Sequence, residues 1–333
     1  MKFETKEAAV FFIDILGMSA LTQGEIDLHG IEEKIDTSIY EVEINGEKDI
    51  SSPNQIIATW TLKRFREALR NVHFKYNVRV SQLSDCAFLW SESSSELLLA
   101  SSELMWELTF AGVLCRGGIS YGEVIIPTND KESFGPFILG DAVTRAAKHE
   151  GRGKGCRVFT DADAINHFHD DFPGKVNAPV VSTNIYNNIF SPITNPLDFS
   201  IIDEFKWYVF HDLKNTAASA TDIDHAKHAM YMAGLVSTLK HSPHYAWNSL
   251  NKQGIIQLAG SMEAISSAIS LHTGHDDAKL SAEYSIVGLD NVNRSHEIVK
   301  RHFYQYNVNA LTEDTNEIIK KKIENEVVKS LTY

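Results

Sequence analysis

The feature that most constrains the fold is a run of six apolar residues near the start of the chain. Ala8–Ile13 is rich in β-forming side chains and contains no polar residue. An uninterrupted run of this kind is typical of a strand that is buried on both faces of a sheet. Asp14 follows the run, Gly17 ends the strand, and we expect Ser19 to cap the next helix. The chain is therefore expected to build its core around this strand.

Strand and helix patterns alternate from this strand to about residue 213. The apolar spacing predicts helices at 56–76, 94–110 and 141–150, and strands at 78–83, 86–90, 114–126 and 157–160. Asn45-Gly46 predicts a small hairpin within a polar insertion near 32–53. These patterns indicate an α/β (α+β) domain of ferredoxin-like type over residues 1–213. Helical patterns dominate residues 214–333, which we interpret as a mainly helical C-terminal extension.

Charge and cysteine content limit the partners and the compartment. The 333 residues contain 31 Lys plus Arg and 44 Asp plus Glu, a net charge of −13. A field of this sign repels phosphate backbones and anionic lipids, so we expect neither nucleic acid nor a membrane as a partner. The three cysteines form no C-x-x-C pair and are expected to be reduced thiols. The apolar run near the start is too short to span a bilayer and lacks a cleavage signature, so we expect a cytoplasmic protein.

Two aspartates are the first candidates for chemistry. Asp14 ends the buried strand, and Asp85 lies in the tight turn between two predicted strands. Taken singly, each is typical of a turn or a helix cap. Together they could meet at one edge of the sheet, where two facing carboxylates would repel without a cation. Hard oxygen ligands of this kind favour magnesium or manganese over zinc.

Three other patterns are more typical of structure than of catalysis. Gly118–Gly122 matches G-x-S-x-G, but more strand follows it, whereas a hydrolase nucleophile elbow needs a helix there. Gly151–Gly155 follows a helix and precedes a strand, which indicates a glycine-rich helix exit and not a phosphate loop. His167 and His169 lack metal-ligand spacing and are expected in a surface turn.

A short predicted helix carries a third candidate group. Thr144 and Lys148 are four residues apart and share a face, with Arg145 adjacent to that face. The spacing alone leaves two interpretations open. Lys148 either contacts a substrate or simply stabilises the helix dipole from the C-terminal end.

Four stretches, taken in order, resemble the catalytic domain of class III nucleotide cyclases. The similarity extends over about Phe3 to Leu213, and its four motifs are Phe11–Ser19, Gln82–Ala87, Cys115–Val124 and Leu139–Lys148. The resemblance implies two Mn²⁺ or Mg²⁺ ions per active site, bound by the residues Asp14, Asp85 and the Ile15 carbonyl. It also implies a loop whose amides bind the β- and γ-phosphates, formed by Gly17, Met18 and Ser19.

The resemblance further implies a homodimer with active sites at the subunit interface. Thr144 stands where the family usually has an asparagine that orients the ribose, and Lys148 stands where it has an arginine that stabilises the transition state. Both replacements keep a hydroxyl donor or a positive charge. Arg145, beside them, is expected to take part in catalysis.

The base-reading positions differ more strongly from the family pattern. Ser81 and Phe137 occupy the places of the lysine and aspartate that read adenine, so a smaller pyrimidine ring is expected. The chain thereby resembles the pyrimidine cyclases of Pycsar anti-phage systems, whose cyclic UMP or cyclic CMP switches on a separate effector. UTP is the favoured substrate. The alternatives are a cytidylate cyclase, an adenylate or guanylate cyclase, and a non-catalytic nucleotide-binding signalling module.

Overall fold

The computed structural model describes residues 3–25, 41–44, 47–50, 53–127, 137–171, 190–194, 201–210, 257, 260, 261 and 264. The strands are β1 (Phe3–Ile15), β2 (Glu41–Ile44), β3 (Glu47–Ile50), β4 (Arg79–Leu83), β5 (Cys86–Ser91), β6 (Cys115–Pro127), β7 (Val158–Thr160), β8 (Phe190–Thr194) and β9 (Ile201–Phe205). The helices are α1 (Met18–Thr22), α2 (Pro53–Lys75), α3 (Ser94–Phe110), α4 (Asp141–Glu150) and α5 (Ala162–Asp171).

A mixed sheet is the centre of the described part of the chain. Its strand order is β4-β5-β1-β6-β7-β9-β8, and only the β6–β7 pair is parallel. An antiparallel arrangement is formed by β1, β4, β5 and β6, with β1 and β5 at its centre. Along the chain, α2 lies between β1 and β4, and α3 lies between β5 and β6. This is the ferredoxin-like pattern. The α/β prediction is therefore confirmed, and the first predicted strand is a central one.

The helices cover the two faces of the sheet unequally. Alternate residues of β1 point to opposite faces. Phe11 and its odd-numbered neighbours pack against α1, α2 and α3, which form the larger core. Val10 and its even-numbered neighbours pack against Ala142 and Ala146 of α4. A Cβ at Gly118 would lie 2.1 Å from the Ala146 carbonyl oxygen, so α4 rests directly on the β6 backbone.

Several sequence-based boundaries need correction. α1 begins at Met18 behind a left-handed Gly17, so Ser19 lies inside the helix and does not cap it. His167 and His169 lie in α5 and not in a surface turn, and the His167 ring stacks on Tyr121. The predicted hairpin is present as β2 and β3, although its Asn45-Gly46 turn lies outside the described residues.

The predicted C-terminal helices also lie outside the described residues, apart from four positions. Gln257, Gly260, Ser261 and Ala264 are helical, and Ala264 is fully buried against the larger core. None of the described helices is both long and apolar enough to cross a bilayer.

A buried ion pair joins the segment before β7 to β9. Arg157 Nη1 donates to Glu204 Oε2, and the two side chains are only 7 and 2% exposed. We expect Glu204→Gln to lower the free energy of unfolding by about 3 kcal/mol, because it removes the negative charge that the buried guanidinium faces. Urea denaturation measures this change. Glu67→Gln, in the exposed pair with Arg64, is the control and should leave stability nearly unchanged. Equal losses of stability in the two variants would contradict the assignment of Arg157–Glu204 as a stabilising buried ion pair.

Candidate active site

Asp14 and Asp85 lie together at one end of the central strand. Asp14 pairs in register with Cys86, the first residue of β5. Asp85 precedes Cys86 in the turn of the β4–β5 hairpin, and its carbonyl accepts a hydrogen bond from the Ile15 N–H at 3.1 Å. Ser84 adopts a left-handed conformation in that turn, with φ of 58°. The hairpin is thereby tied to the end of β1, and both aspartates are half-buried at this edge of the sheet.

The charges at this edge fit a divalent cation. Burial raises the pKa of Asp14 to about 7; the carboxylates of Glu150 and Asp85 add to the rise, and Arg116 opposes it. A cation neutralises such an excess of negative charge. Two carboxylates beside the Ile15 carbonyl are the hard oxygen donors that Mg²⁺ and Mn²⁺ prefer. No group of three or more His, Cys, Asp or Glu side chains in the described part of the chain is arranged to hold a metal. Two carboxylates suit Mg²⁺, which completes its shell with water and substrate phosphates.

An ion pair between Arg116 and Glu150 lies beside Asp14. Arg116 on β6 is the cross-strand partner of Asp14, so both side chains lie on the face that α4 covers. Arg116 Nε donates to Glu150 Oε1 at 2.5 Å, and Nη1 donates to the Gly153 carbonyl at 3.1 Å. The Arg116 and Glu150 side chains are 11 and 12% exposed. The guanidinium is thus fixed at two points beside the candidate metal site.

The turn after β1 places a helix start next to the aspartates. Gly17 has φ of 81°, a conformation that glycine adopts without the steric cost of a side chain. α1 follows at once, with Met18 buried and Ser19 exposed. The first N–H groups of a helix have no acceptor within the helix. The backbone amides expected to bind phosphate are therefore close in sequence to Asp14.

α4 carries two exposed polar residues on one face. Thr144 and Lys148 are both exposed, as their spacing predicts. The Thr144 hydroxyl donates to the Gly140 carbonyl at 3.2 Å. Lys148 makes no ion pair with any residue in the described ranges, and in particular none with Asp14 or Asp85 of its own chain. Both side chains are exposed, so each is accessible to a group that lies outside α4.

Arg145 has different surroundings from its neighbours on α4. Its guanidinium forms ion pairs with Asp141 at 2.8 Å and Asp161 at 3.2 Å. Nη2 also donates to the Tyr121 carbonyl of β6 at 2.5 Å. These contacts fix α4 to the sheet. The catalytic role expected for Arg145 from the sequence stays a prediction.

Asp161 connects α4, β6 and the start of α5. Its Oδ2 is 2.8 Å from His149 Nε2 and accepts from the Ser120 hydroxyl at 3.3 Å, while Oδ1 accepts from the Ala164 N–H. Burial raises the pKa of Asp161, but the hydrogen bonds to His149 and from the Ala164 N–H, with the charges of His149 and Arg145, outweigh it and bring the pKa to about 2. Ser120 is fully buried in the middle of β6. β6 continues past the G-x-S-x-G pattern to Pro127, as predicted, so the helix that a nucleophile elbow needs does not follow it.

The two residues expected to border the base do not meet within one chain. The Phe137 ring packs edge-on against Phe3, with centroids 6.1 Å apart, whereas Ser81 is level with Phe12 across the sheet. Phe3 and Phe12 are nine residues apart on β1, a separation of about 30 Å. The aromatic neighbour of Ser81 is Phe88, whose ring centroid lies 4.7 Å from that of Phe12. A half-buried aromatic pair therefore stands beside the Ser81 hydroxyl.

Sequence reasoning missed the Arg116–Glu150 pair and the Asp161 network. One signal was available for the first of these. Arg116 is a single cation in the predicted strand 114–126, between apolar residues and glycines. A charge in a buried strand requires a partner, because an unpaired one is strongly destabilising. The identity of that partner, 34 residues away in the sequence, depends on how α4 packs.

The chain matches no family profile, and no match is found among curated proteins. It is similar to solved structures of guanylyl and adenylyl cyclases. The guanylyl cyclase Cya2 is 10% identical, with 62% of this chain and 93% of that chain covered and a TM-score of 0.39. The guanylate cyclase domain of RhGC from Catenaria anguillulae in complex with GTP is 12% identical, with 62% and 97% covered and a TM-score of 0.39. The adenylyl cyclase CyaB from P. aeruginosa is 14% identical, with 62% and 96% covered and a TM-score of 0.37. Sequence identities and TM-scores this low carry no argument about activity, so the chemistry has to be argued from this chain's own residues.

Proposed function

We propose that this protein is a nucleotide cyclase, which converts a nucleoside triphosphate into a 3′,5′-cyclic monophosphate and pyrophosphate. The observation that carries the proposal is the half-buried pair of Asp14 and Asp85 at the end of β1, with Glu150 close by. A protein that only bound nucleotide would have little use for a carboxylate such as Asp14, whose surroundings disfavour its ionised form. A metal-dependent enzyme needs such a pair, because its cation must be held at the reacting phosphate.

Each group of residues at the site is assigned one part of this reaction. The ribose 3′-oxygen bonds to the α-phosphorus, the bond from that phosphorus to the bridging oxygen of the β-phosphate breaks, and pyrophosphate leaves. Asp14, Asp85 and the Ile15 carbonyl would hold two Mg²⁺ or Mn²⁺ ions per site. The ions would neutralise phosphate charge and make the 3′-hydroxyl more acidic. The phosphates are bound by the backbone amides of Gly17, Met18 and Ser19.

The face of α4 supplies the remaining contacts. The Thr144 hydroxyl orients the ribose, and the Lys148 ammonium group lies against the α-phosphate, where negative charge builds up. No described side chain stands out as a general base, so the 3′ proton passes to water or to the substrate itself. Arg145 holds α4 in place through Asp161 and the Tyr121 carbonyl.

The active site is assigned to the interface of a homodimer. Lys148 is exposed and pairs with neither aspartate of its own chain within the described residues. A second copy of the chain would bring its α4 opposite Asp14 and Asp85. This arrangement, which the sequence resemblance also implies, gives two composite sites related by a twofold axis.

The substrate is assigned as UTP, ahead of CTP and of both purines. The Ser81 hydroxyl lies beside the rings of Phe88 and Phe12, which offer a flat apolar wall to a small base. We place this wall at the base in preference to Phe137, which packs on Phe3. The sequence resemblance supports a cyclic pyrimidine nucleotide that acts in the cytoplasm on a separate effector in anti-phage defence.

A competition assay tests the base preference. The purified protein is incubated with Mn²⁺ and equal concentrations of the four ribonucleoside triphosphates, and the products are identified by mass. We expect cyclic UMP to dominate and cyclic CMP to follow, because Ser81 stands where the resemblance implies the lysine that reads adenine, so a purine base loses that partner. Dominant cyclic AMP or cyclic GMP would overturn the assignment of a pyrimidine substrate. Dominant cyclic CMP would overturn only the preference for uracil.

A further inference from the structure

A helical segment far along the chain docks on the loop that follows α4. The Gly155 N–H donates to Gln257 Oε1 at 2.8 Å, and the Cys156 N–H donates to Ser261 Oγ at 3.0 Å. Ser261 is fully buried, as is Cys156. Two consecutive backbone amides of the loop thus find their acceptors on a segment more than a hundred residues away.

The two backbones touch because both sides of the contact are glycines. A Cβ on Gly260 would lie 2.7 Å from the Lys154 carbonyl oxygen and 3.0 Å from the Gly155 nitrogen. A Cβ on Gly155, whose φ is +86°, would lie 2.2 Å from the Gly260 carbonyl carbon. Atoms of the main chain cannot swing aside as the end of a flexible side chain does. Any enlargement at either glycine must therefore move the loop or the segment as a whole.

The loop leads directly to the candidate metal site. Gly153, two residues before Gly155, accepts a hydrogen bond from Arg116 through its carbonyl at 3.1 Å. Glu150, which ends α4, receives the other bond of the same guanidinium. Arg116 is the cross-strand partner of Asp14. A continuous series of contacts therefore runs from the docked segment through the loop to Arg116 and then to Asp14.

We infer that the segment around Gln257, Gly260 and Ser261 is a positioning element for the metal site, and that its docking on the loop sets the affinity of that site for the divalent cation. The inference rests on the metal site of the proposed function. The carbonyl of Gly153 and the carboxylate of Glu150 hold Arg116 beside Asp14. The segment seated on the loop holds the loop in position, together with the Trp207 indole, which donates to the Cys156 carbonyl at 3.0 Å. Displacement of the loop frees the guanidinium to rotate and changes the charge that Asp14 faces.

Gly260→Ala and Ser261→Ala test this inference by two different routes. The first adds one methyl group that must push the Lys154 backbone away, and it does so while improving the helix propensity of the segment. The second removes the acceptor of the Cys156 N–H. Ser101→Ala is the matched control, because it too removes a fully buried helical hydroxyl, one that donates to the Leu97 carbonyl within α3 just as the Ser261 hydroxyl donates to the Gln257 carbonyl.

The measured quantity is the affinity of the full chain for Mn²⁺ without substrate, determined by electron paramagnetic resonance. Thermal unfolding is measured in parallel. We expect both variants to weaken Mn²⁺ binding by about tenfold, the size of effect seen when the partners that orient metal ligands are removed. Ser101→Ala should keep the parental Mn²⁺ affinity, whatever its effect on the unfolding temperature. Parental affinity in both folded test variants would overturn this inference and leave the cyclase proposal standing. A parent protein that binds no Mn²⁺ at the Asp14 site would overturn both.

Discussion

Asp14→Asn is expected to abolish nucleotide cyclisation, with kcat lowered by about a thousandfold or more. Asparagine keeps the size of the side chain and its place opposite Arg116, but it removes the negative charge that holds a hard cation. The measurement is the steady-state formation of cyclic product at saturating Mn²⁺. Asp163→Asn is the control, because that carboxylate is 87% exposed and lies at the start of α5. Turnover at the parental rate by Asp14→Asn would contradict the metal assignment.

The same substitution is expected to stabilise the metal-free protein. Burial, aided by Glu150 and Asp85, raises the pKa of Asp14 from 3.8 to about 7. Between about pH 4 and 7 the folded state therefore keeps a proton that the unfolded chain has lost, so stability falls as the pH rises through this window. An asparagine side chain does not titrate, so the variant is spared this loss. Above pH 7, Asp14→Asn should gain about 2 kcal/mol, a value reduced from the full shift to allow for solvent screening.

Chemical denaturation with a chelator, at pH 5 and at pH 8, measures this effect. The variant and the parent should differ most at pH 8 and least at pH 5 and below. A variant that is less stable than the parent at pH 8 would show that Asp14 is held by favourable contacts and is not strained by burial. Opposite signs for activity and stability are the signature of a side chain kept for its chemistry.

Lys148→Ala is expected to lower kcat by about a thousandfold with little change in the free energy of unfolding. The large kinetic effect follows from the loss of positive charge at the transferring phosphorus, and the small stability effect follows from the exposure of Lys148 on α4. Lys148→Arg, which keeps the charge, should retain most of the activity. Equal losses in the alanine and arginine variants would contradict an electrostatic role.

Mixing Lys148→Ala with Asp14→Asn chains tests whether the site is shared. In a composite site, each mixed dimer has one site with both defects and one site with neither. Random exchange of subunits should then restore about a quarter of the parental activity. Mixed dimers that form but remain inactive would place Lys148 and Asp14 in the same site of one chain.

The sequence was a good guide to local structure near the central strand. The bounds of α3 were predicted to the residue, and α2, β4, β5 and β6 within a few residues, because their apolar periodicity is strong and glycines interrupt it. α1 was less predictable. Ser19 is a good capping residue, but the left-handed Gly17 starts the helix earlier. In α5, the polar His167–Asp171 end resembles a surface turn, and packing of Phe168 in the larger core makes it helical.

The candidate site was predictable only where its residues adjoin recognisable strand ends. Asp14 and Asp85 could be paired from the sequence because one follows a strand and the other lies in a hairpin turn. Ser81 and Phe137 could not be placed relative to each other, since their separation depends on the length of β1 and on where the chain returns beside β6. The contact of Gly260 with Gly155 has no local signal at all, because two glycines about a hundred residues apart meet only in the folded chain.

The most direct test of the cyclase assignment is the stoichiometry of the products. The purified protein, Mn²⁺ and UTP are followed by phosphorus-31 nuclear magnetic resonance, with Asp85→Ala as the inactive reference. Cyclisation predicts pyrophosphate and 3′,5′-cyclic UMP in equal amounts, and neither in the reference. Release of inorganic phosphate with UDP would identify a hydrolase. Binding of triphosphates without any turnover, for UTP and for the other three nucleotides, would contradict the enzyme and identify a nucleotide-binding module.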